Sequence, residues 1–376
     1  MERLNITLVN LWPEGGMAHY TAQLSAALAR QKELRVTVVL PVGVDVGLFA
    51  SDVDLHLVDI PLTASARNLI RLATGAAFLK LYRAIANTNP DIIHLNSSHP
   101  LMLVTLPFLA RKFDIVATIH DATSHPGSDQ NLRKHLERQV VVRYAKYFFV
   151  HREVIRQQFL KLNRTINASQ VAITPHGDFD FFNDSEQGTD KLNTPTEEPH
   201  TLLFFGRISV YKGLIHLVEA VTIIRQKYPA LKVIVAGSGQ LEPAVAEAMQ
   251  DNIYEVHNRF IADNEVAGFF KRASILILPY IEASESGVIQ IGKAFNLPII
   301  STRVGGIPEA VTDGVTGVIV PPADPAALAN AIDSLLSDSN KRERIKQNIQ
   351  IERDNRPGWN EASNIIAGIY QKIAEV

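Results

Sequence analysis

A chain of 376 residues, 46% hydrophobic and 20% charged, exceeds the ~250–300 residues at which one core stops growing, so two domains are expected. No apolar run reaches the ~18–20 residues that a bilayer crossing needs, and the opening MERLNITLVN, with an acid at position 2, is unlike a secretory signal. With no cysteine, disulfides and thiolate chemistry are excluded, and a reducing, cytoplasmic location is the expectation.

The net charge of −2 hides an asymmetry. Residues 1–170 hold 19 Lys and Arg against 13 Asp and Glu, whereas residues 171–376 hold 18 against 26. The first part suits an anionic partner or an anionic membrane surface, and neither part is basic enough to make nucleic acid the main ligand.

Short runs rich in Val, Ile and Leu alternate with segments of helical period. LNITLVNL is followed by the helical AHYTAQLSAALARQ and by LRVTVVLPV; DIIHLN, IVATIHD and YFFVHR come later. Strands that are apolar on both faces and separated by helices imply parallel sheets covered on each side.

Gly15 and Gly16 stand between the first strand and the first helix, where backbone can approach a ligand and offer amides at a positive helix end. A tight turn without a ligand explains them equally well, since neither a G-x-G-x-x-G spacing nor a P-loop is present. Segment 67–83, RNLIRLATGAAFLKLYR, punctuates apolar residues with basic ones. That pattern fits peripheral membrane contact or an ordinary helix packed on one face. His94, His99 and the pair His120-Asp121 fall at expected strand ends; most such histidines are structural, and His120 is the best placed to contact a reacting group. Asp178-Phe179-Asp180 reads as a polar turn or hinge, and no His/Asp cluster has metal-ligand spacing.

Residues 183–200, NDSEQGTDKLNTPTEEPH, are polar and acidic and read as a linker. A second series then begins: TLLFFGR, the helical GLIHLVEAVTIIRQKYP, LKVIVAGSG, a helix around 243–249, and the strands ILILPY, PIISTR and GVIV. The expected fold class is therefore α/β, with two Rossmann-like, doubly wound parallel-sheet domains whose strand ends face each other across a ligand cleft.

In LLFFGRISVYKG, Arg207 and Lys212 follow a strand end at Gly206. Such a pair is a clamp for a diphosphate, because cations offset charge on a leaving phosphate; two solvated loop charges are the plain alternative. Gly237-Ser238-Gly239 suits close approach by a base or ribose, or is simply a turn. In YIEASESGVIQIGKAFNLP, Ser284 or Ser286 can cap a helix from about Gly287 to Phe295. The amides of Ser286, Gly287 and Val288 would face the strand end, where the helix dipole favours phosphate. Glu282 is placed to accept hydrogen bonds from sugar hydroxyls, and Glu285 fits a helix-end charge.

These motifs, with TPHGDFDFF, NRFIADNEVAGFFKRASILILPY and PIISTRVGGIPEAVTDGVTGVIVPPADPAALANAI, stand in the order found in family 4 retaining glycosyltransferases of the GT-B fold, which the chain resembles over almost its whole length. The resemblance implies hexosyl transfer, with retention, from a nucleotide-diphosphate sugar to a carbohydrate or lipid-linked acceptor, in polysaccharide or glycolipid synthesis. It implies neither cofactor nor obligatory metal. It further implies that Arg207 and Lys212 hold the diphosphate, aided by amides near Ser286–Val288, that Glu282 holds sugar hydroxyls, and that His120 approaches the donor sugar from the other domain, with Gly15 and Gly16 bordering the cleft. The domains implied are 1–182 for the acceptor, 201–357 for the donor, and a closing helix over 358–376, headed by Trp359, that crosses back to the first domain. The family's two glutamates eight positions apart are not reproduced: Glu282 plus eight is Gln290. Counting back from Leu297-Pro298 makes Glu285 the competing first acid. Two alternatives share the motifs, a GT-B nucleotide-sugar epimerase, against which their order argues, and a nucleotide-sugar-binding protein without turnover, which Gln290 permits.

Overall fold

The computed structural model describes residues 3–12, 15–60, 75–97, 99–122, 132–177, 179, 181–184, 196–355 and 358–375. These form two compact units, one from the described residues up to 122 with 132–177 and 358–375, the other from the described residues between 179 and 355. Residues 67–74 of the basic segment, Asp178, Asp180 and most of the expected linker lie outside the described residues.

In the first unit the strands are β1 (Leu4–Val9), β2 (Leu34–Pro41), β3 (Asp54–Val58), β4 (Ile92–Leu95), β5 (Asp114–Thr118), β6 (Tyr147–Val150) and β7 (Val171–Ile173). They form one sheet in the order β3-β2-β1-β4-β5-β6-β7, every neighbour parallel. Its central strands are buried on both faces, which is why their sequences run apolar instead of alternating. The helices Gly16–Ala29 and Gly358–Ala374 cover one face together, with Leu24, Leu28, Ile366 and Tyr370 in its core. The helices Ala76–Ala86, Met102–Leu109, Leu132–Tyr144 and Glu153–Leu162 cover the other.

His94 lies inside β4 as a core residue: its Nδ1 is 2.5 Å from the Tyr370 hydroxyl and its Nε2 is 2.8 Å from Thr118 Oγ1. Burial pushes its pKa down to about 3, so it is neutral. His99 is likewise buried, and its Nδ1 accepts from the Leu101 amide at 3.2 Å.

The second unit holds β8 (Thr201–Phe205), β9 (Lys232–Ala236), β10 (Tyr254–His257), β11 (Ile275–Leu278), β12 (Ile299–Thr302) and β13 (Gly317–Val320). Their order is β10-β9-β8-β11-β12-β13, again parallel throughout. The helices Leu214–Ile224 and Pro325–Leu336 pack together over one face through Leu217, Val221, Leu328 and Ile332. The first of them ends at Ile224 and does not run to Pro229. Glu197 and Glu198, at the end of the acidic stretch, pair with Lys346 at 2.6 Å and with Arg272 at 2.5 Å, so its last turn is bound to this unit.

Each sheet reverses its winding once, between β1 and β4 and between β8 and β11. Ligands of open parallel sheets bind outside the carboxyl ends of strands at such a switch point.

Candidate functional site

In the second unit, the segments that leave the switch-point strands β8 and β11 carry most of the candidate residues. Gly206 (φ 107°) directly follows β8, and its amide donates to the Ala236 carbonyl at 2.9 Å. Pairing continues beyond it, with the Ile208 amide donating to the Ser238 carbonyl at 2.9 Å. A Cβ on Gly237 or Gly239 would overlap the carbonyl oxygens of Gly206 and Ile208. These two glycines are therefore demanded by the neighbouring backbone, a close approach within the protein itself.

The loop 206–213 is seated on the end of β11. Gly213 (φ 67°) lies so close to Pro279 that a Cβ would fall well inside 3.0 Å of its carbonyl oxygen, and the Ile281 amide donates to the Tyr211 carbonyl at 2.8 Å. The Lys212 ammonium stands 3.7 Å from the centroid of the Tyr280 ring, a cation–π contact. Tyr280 is fully buried, and its hydroxyl shares a 2.9 Å hydrogen bond with Ser286 Oγ. Burial raises its pKa, so the hydroxyl stays protonated. Tyr280 thus links the lysine to the start of the next helix, a role that the sequence reading missed; the available signal was an aromatic closing an otherwise aliphatic strand. Arg207 is exposed, directly after Gly206.

The helix Gly287–Ala294 opens at Ser286, whose backbone is extended (φ −144°, ψ 111°). Neither serine caps it: the helix has no side-chain cap, because the Ser286 hydroxyl is engaged with Tyr280. The Ile289 amide donates to the Ser286 carbonyl at 3.1 Å, and the amides of Gly287 and Val288 have no side-chain cap at the positive end of the dipole. Val288 borders Gly206, its Cγ2 being 3.4 Å from where a Cβ would sit. The far end is fixed by a Schellman pair, with Asn296 at φ 52° and its amide donating to the Lys293 carbonyl at 2.8 Å, and the Leu297 amide donating to the Gly292 carbonyl at 2.9 Å. Lys293, fully buried, pairs with Glu352 at 2.5 Å and anchors the helix to Ser339–Asp354.

Glu282 and Glu285 lie half-buried in the loop between β11 and this helix, while Gln290 is buried on the helix itself. The loop is clamped from the side of β12: the Gly306 amide donates to the Ser284 carbonyl at 2.9 Å, and Gly305 (φ 46°) leaves no room for a Cβ against the Ala283 carbonyl. The sequence reading quoted this Val-Gly-Gly run without giving it a part in the site.

In the first unit, Gly15 (φ 75°) opens the helix Gly16–Ala29, which has no side-chain cap, and a Cβ on Gly15 or Gly16 would meet nothing within 4 Å. Tyr20 of this helix stands edge-on to His120, ring centroids 4.7 Å apart. His120 follows β5, and desolvation pushes its pKa down to about 4 against the opposing pull of Asp121. His151 lies 5.2 Å from His120, accompanied by His176 and Trp359 around the Tyr20 ring. Burial also drives the pKa of His151 well below its usual value, with His176 and His120 adding to the effect. His120 and His151 are therefore neutral near pH 7. Only strand order brings residues 20, 120, 151, 176 and 359 together.

Residues 14–177 match the family profile described as "Glycosyltransferase Family 4", and residues 199–338 match "Glycosyl transferases group 1". Among curated relatives, a D-inositol 3-phosphate glycosyltransferase from Arthrobacter sp. (strain FB24) is 28% identical over 197 residues, 47% of each chain; the chain thus spans about half the length of the curated relatives it matches. A sucrose-phosphate synthase structure from Thermosynechococcus elongatus superposes with a TM-score of 0.78 at 20% identity, over 99% of both chains. An Anabaena HepE structure in complex with UDP-glucose gives 0.72 at 17%, over the whole of both chains. The chain belongs to the family 4 glycosyltransferases and has the GT-B fold.

Proposed function

We propose that the protein is a retaining glycosyltransferase that moves a hexosyl unit from a nucleotide-diphosphate donor, bound by the second unit, to a carbohydrate or lipid-linked acceptor, bound by the first. The observation that carries this reading is the convergence of Lys212, through Tyr280 and Ser286, on the uncapped start of the helix Gly287–Ala294. A diphosphate held there would meet a cation and several backbone amides at once, with Arg207 adding a bidentate donor. As the sugar–phosphate bond breaks, negative charge grows on the leaving diphosphate, and these groups offset it without a metal; a donor of this kind is typically worth ~10²–10³ in rate. In this reading Glu282 accepts from donor-sugar hydroxyls. Gln290 offers the ribose one acceptor and one donor. His120, neutral at pH 7, hydrogen-bonds a reacting hydroxyl and carries no charge. The UDP-glucose complex of the Anabaena HepE structure supports UDP-sugars as the first donors to test.

Titration calorimetry with UDP, GDP and ADP, followed by donor-sugar turnover, tests the reading on the wild type and on Arg207→Ala. Arg207 is exposed, so the variant keeps its thermal stability. It should bind nucleoside diphosphate roughly tenfold or more weakly, as loss of a charge-assisted hydrogen bond implies. Binding without turnover of any UDP-, GDP- or ADP-sugar would replace the enzyme by a nucleotide-sugar-binding protein, and absence of binding would remove both.

A further inference from the structure

The helix Met102–Leu109, MLVTLPFL, has a single polar residue, and Thr105 is buried with its hydroxyl donating to the Leu101 carbonyl at 2.7 Å. Its outward side is therefore wholly apolar: Val104 and Phe108 are 50% and 46% exposed. A helix that is apolar all round normally lies inside a core or against lipid. The helices Ala76–Ala86 and Leu132–Tyr144 both pack against it and add Leu79 and Leu136, 46% and 45% exposed. The Phe78 ring stands 5.3 Å from that of Phe108, so the apolar side is continuous between two helices.

Basic groups surround this face. The Arg111 guanidinium lies 5.2 Å above the Phe108 ring, and Arg83, Lys112 and Arg143 are exposed. The three helices carry one acid, Glu137, and it is buried. The acids of nearby strands are engaged, Asp59 with Lys80 at 3.0 Å and Asp114 with Lys146 at 2.5 Å. A face with apolar depth, positive charge and no exposed acid on its three helices meets what an anionic bilayer offers, an acyl boundary beneath a layer of phosphates. A folded protein partner would ask for a shaped set of polar donors and acceptors, and this face presents few.

We propose that this face of the first unit docks on an anionic phospholipid surface, with Leu79, Val104 and Phe108 entering the headgroup boundary and Arg111 and Lys112 pairing with phosphates. The centre of the surface is the helix Met102–Leu109, and it shares Phe78, Leu79 and Arg83 with segment 67–83 read in the sequence. The inference is independent of the sugar chemistry.

Cosedimentation of the full chain with vesicles of phosphatidylcholine, with and without one third phosphatidylglycerol, tests it. Binding should require the anionic lipid and fall as salt rises. Each basic residue at such a surface contributes roughly a fivefold factor, so Arg111→Glu with Lys112→Glu should weaken binding about 25-fold or more. Phe108→Ser should weaken it about tenfold, by loss of buried apolar area. Circular dichroism and nucleoside diphosphate affinity, which report the fold and the second unit, should be unchanged in both variants. No binding to anionic vesicles at low salt, or binding that neither variant weakens, overturns the proposal. A mass by light scattering that doubles with concentration and reverts in Phe108→Ser, without vesicle binding, would assign the face to a second copy of the chain instead.

Discussion

Two glycines with nearly the same backbone provide a sharp test of how the donor-side loop is held. Gly213 has φ 67° and ψ 27°, and Gly75, which opens the helix Ala76–Ala86, has φ 71° and ψ −10°. A Cβ on Gly75 would stand in open space, whereas one on Gly213 would overlap the Pro279 carbonyl oxygen, backbone against backbone. Placing an L-residue in this left-handed region costs ~1–2 kcal/mol. Loss of glycine's freedom in the unfolded chain returns ~0.4–1 kcal/mol. Gly75→Ala should therefore lower stability by about 1.6 kcal/mol or less. Gly213→Ala carries the same strain and must also push the loop off β11; a forced shift of this kind adds ~1–3 kcal/mol, for a total of roughly 1–5 kcal/mol. Because Lys212 precedes Gly213 and rests on Tyr280, the shift should also weaken nucleoside diphosphate binding at least tenfold. Urea unfolding followed by circular dichroism gives the first quantity and calorimetry the second. Equal losses in the two variants would show that the overlap with Pro279 does not govern the loop, and an unaltered Gly213→Ala would refute the seating of the loop altogether.

The remaining expectations concern pH, a buried ion pair and the amide at 290. His94 has its pKa pushed to about 3, against ~6.5 in an unfolded chain. Between these values the unfolded chain binds a proton that the folded one does not. Stability is therefore complete above about 6.5 and declines as pH falls toward 3, by up to ~1.4 kcal/mol per pH unit for each such histidine. Urea midpoints at pH 7, 6 and 5 should fall in that order, and His94→Gln should flatten the profile; a flat wild-type profile refutes the burial argument. Lys293 is buried and Glu352 partly exposed. Glu352→Ala should thus cost roughly 3 kcal/mol while Lys293→Met is nearly neutral, and the reverse ranking in denaturation would contradict the pairing. Gln290→Glu should tighten nucleotide binding if position 290 faces the ribose; calorimetry that shows no change would assign the part to Glu285.

The stretches LNITLVN, LRVTVVL, KVIVA and ILIL were legible as parallel strands because burial on both faces removes alternation, a property written in each segment by itself. Gly-Arg…Lys-Gly was legible as a cationic loop for a similar reason: turn residues and charges follow a strand end directly. The serine caps were misread. Ser286 stands at the N-cap position, yet its hydroxyl found the Tyr280 hydroxyl instead, a choice between two nearby donors and acceptors that spacing does not rank.

By itself the sequence determined the class of fold, the positions of the strand ends, and the residue types able to meet a diphosphate, since periodicity, turn chemistry and charge are local. The tertiary structure decided which strand ends are neighbours. Placing β8 beside β11 sets Lys212 on Tyr280 and Gly206 against Val288. It also shows Gly237 serving the adjacent backbone, and it gathers His120, His151 and Trp359 around Tyr20. Those contacts join segments tens to hundreds of residues apart. They depend on sheet order, which no local pattern encodes.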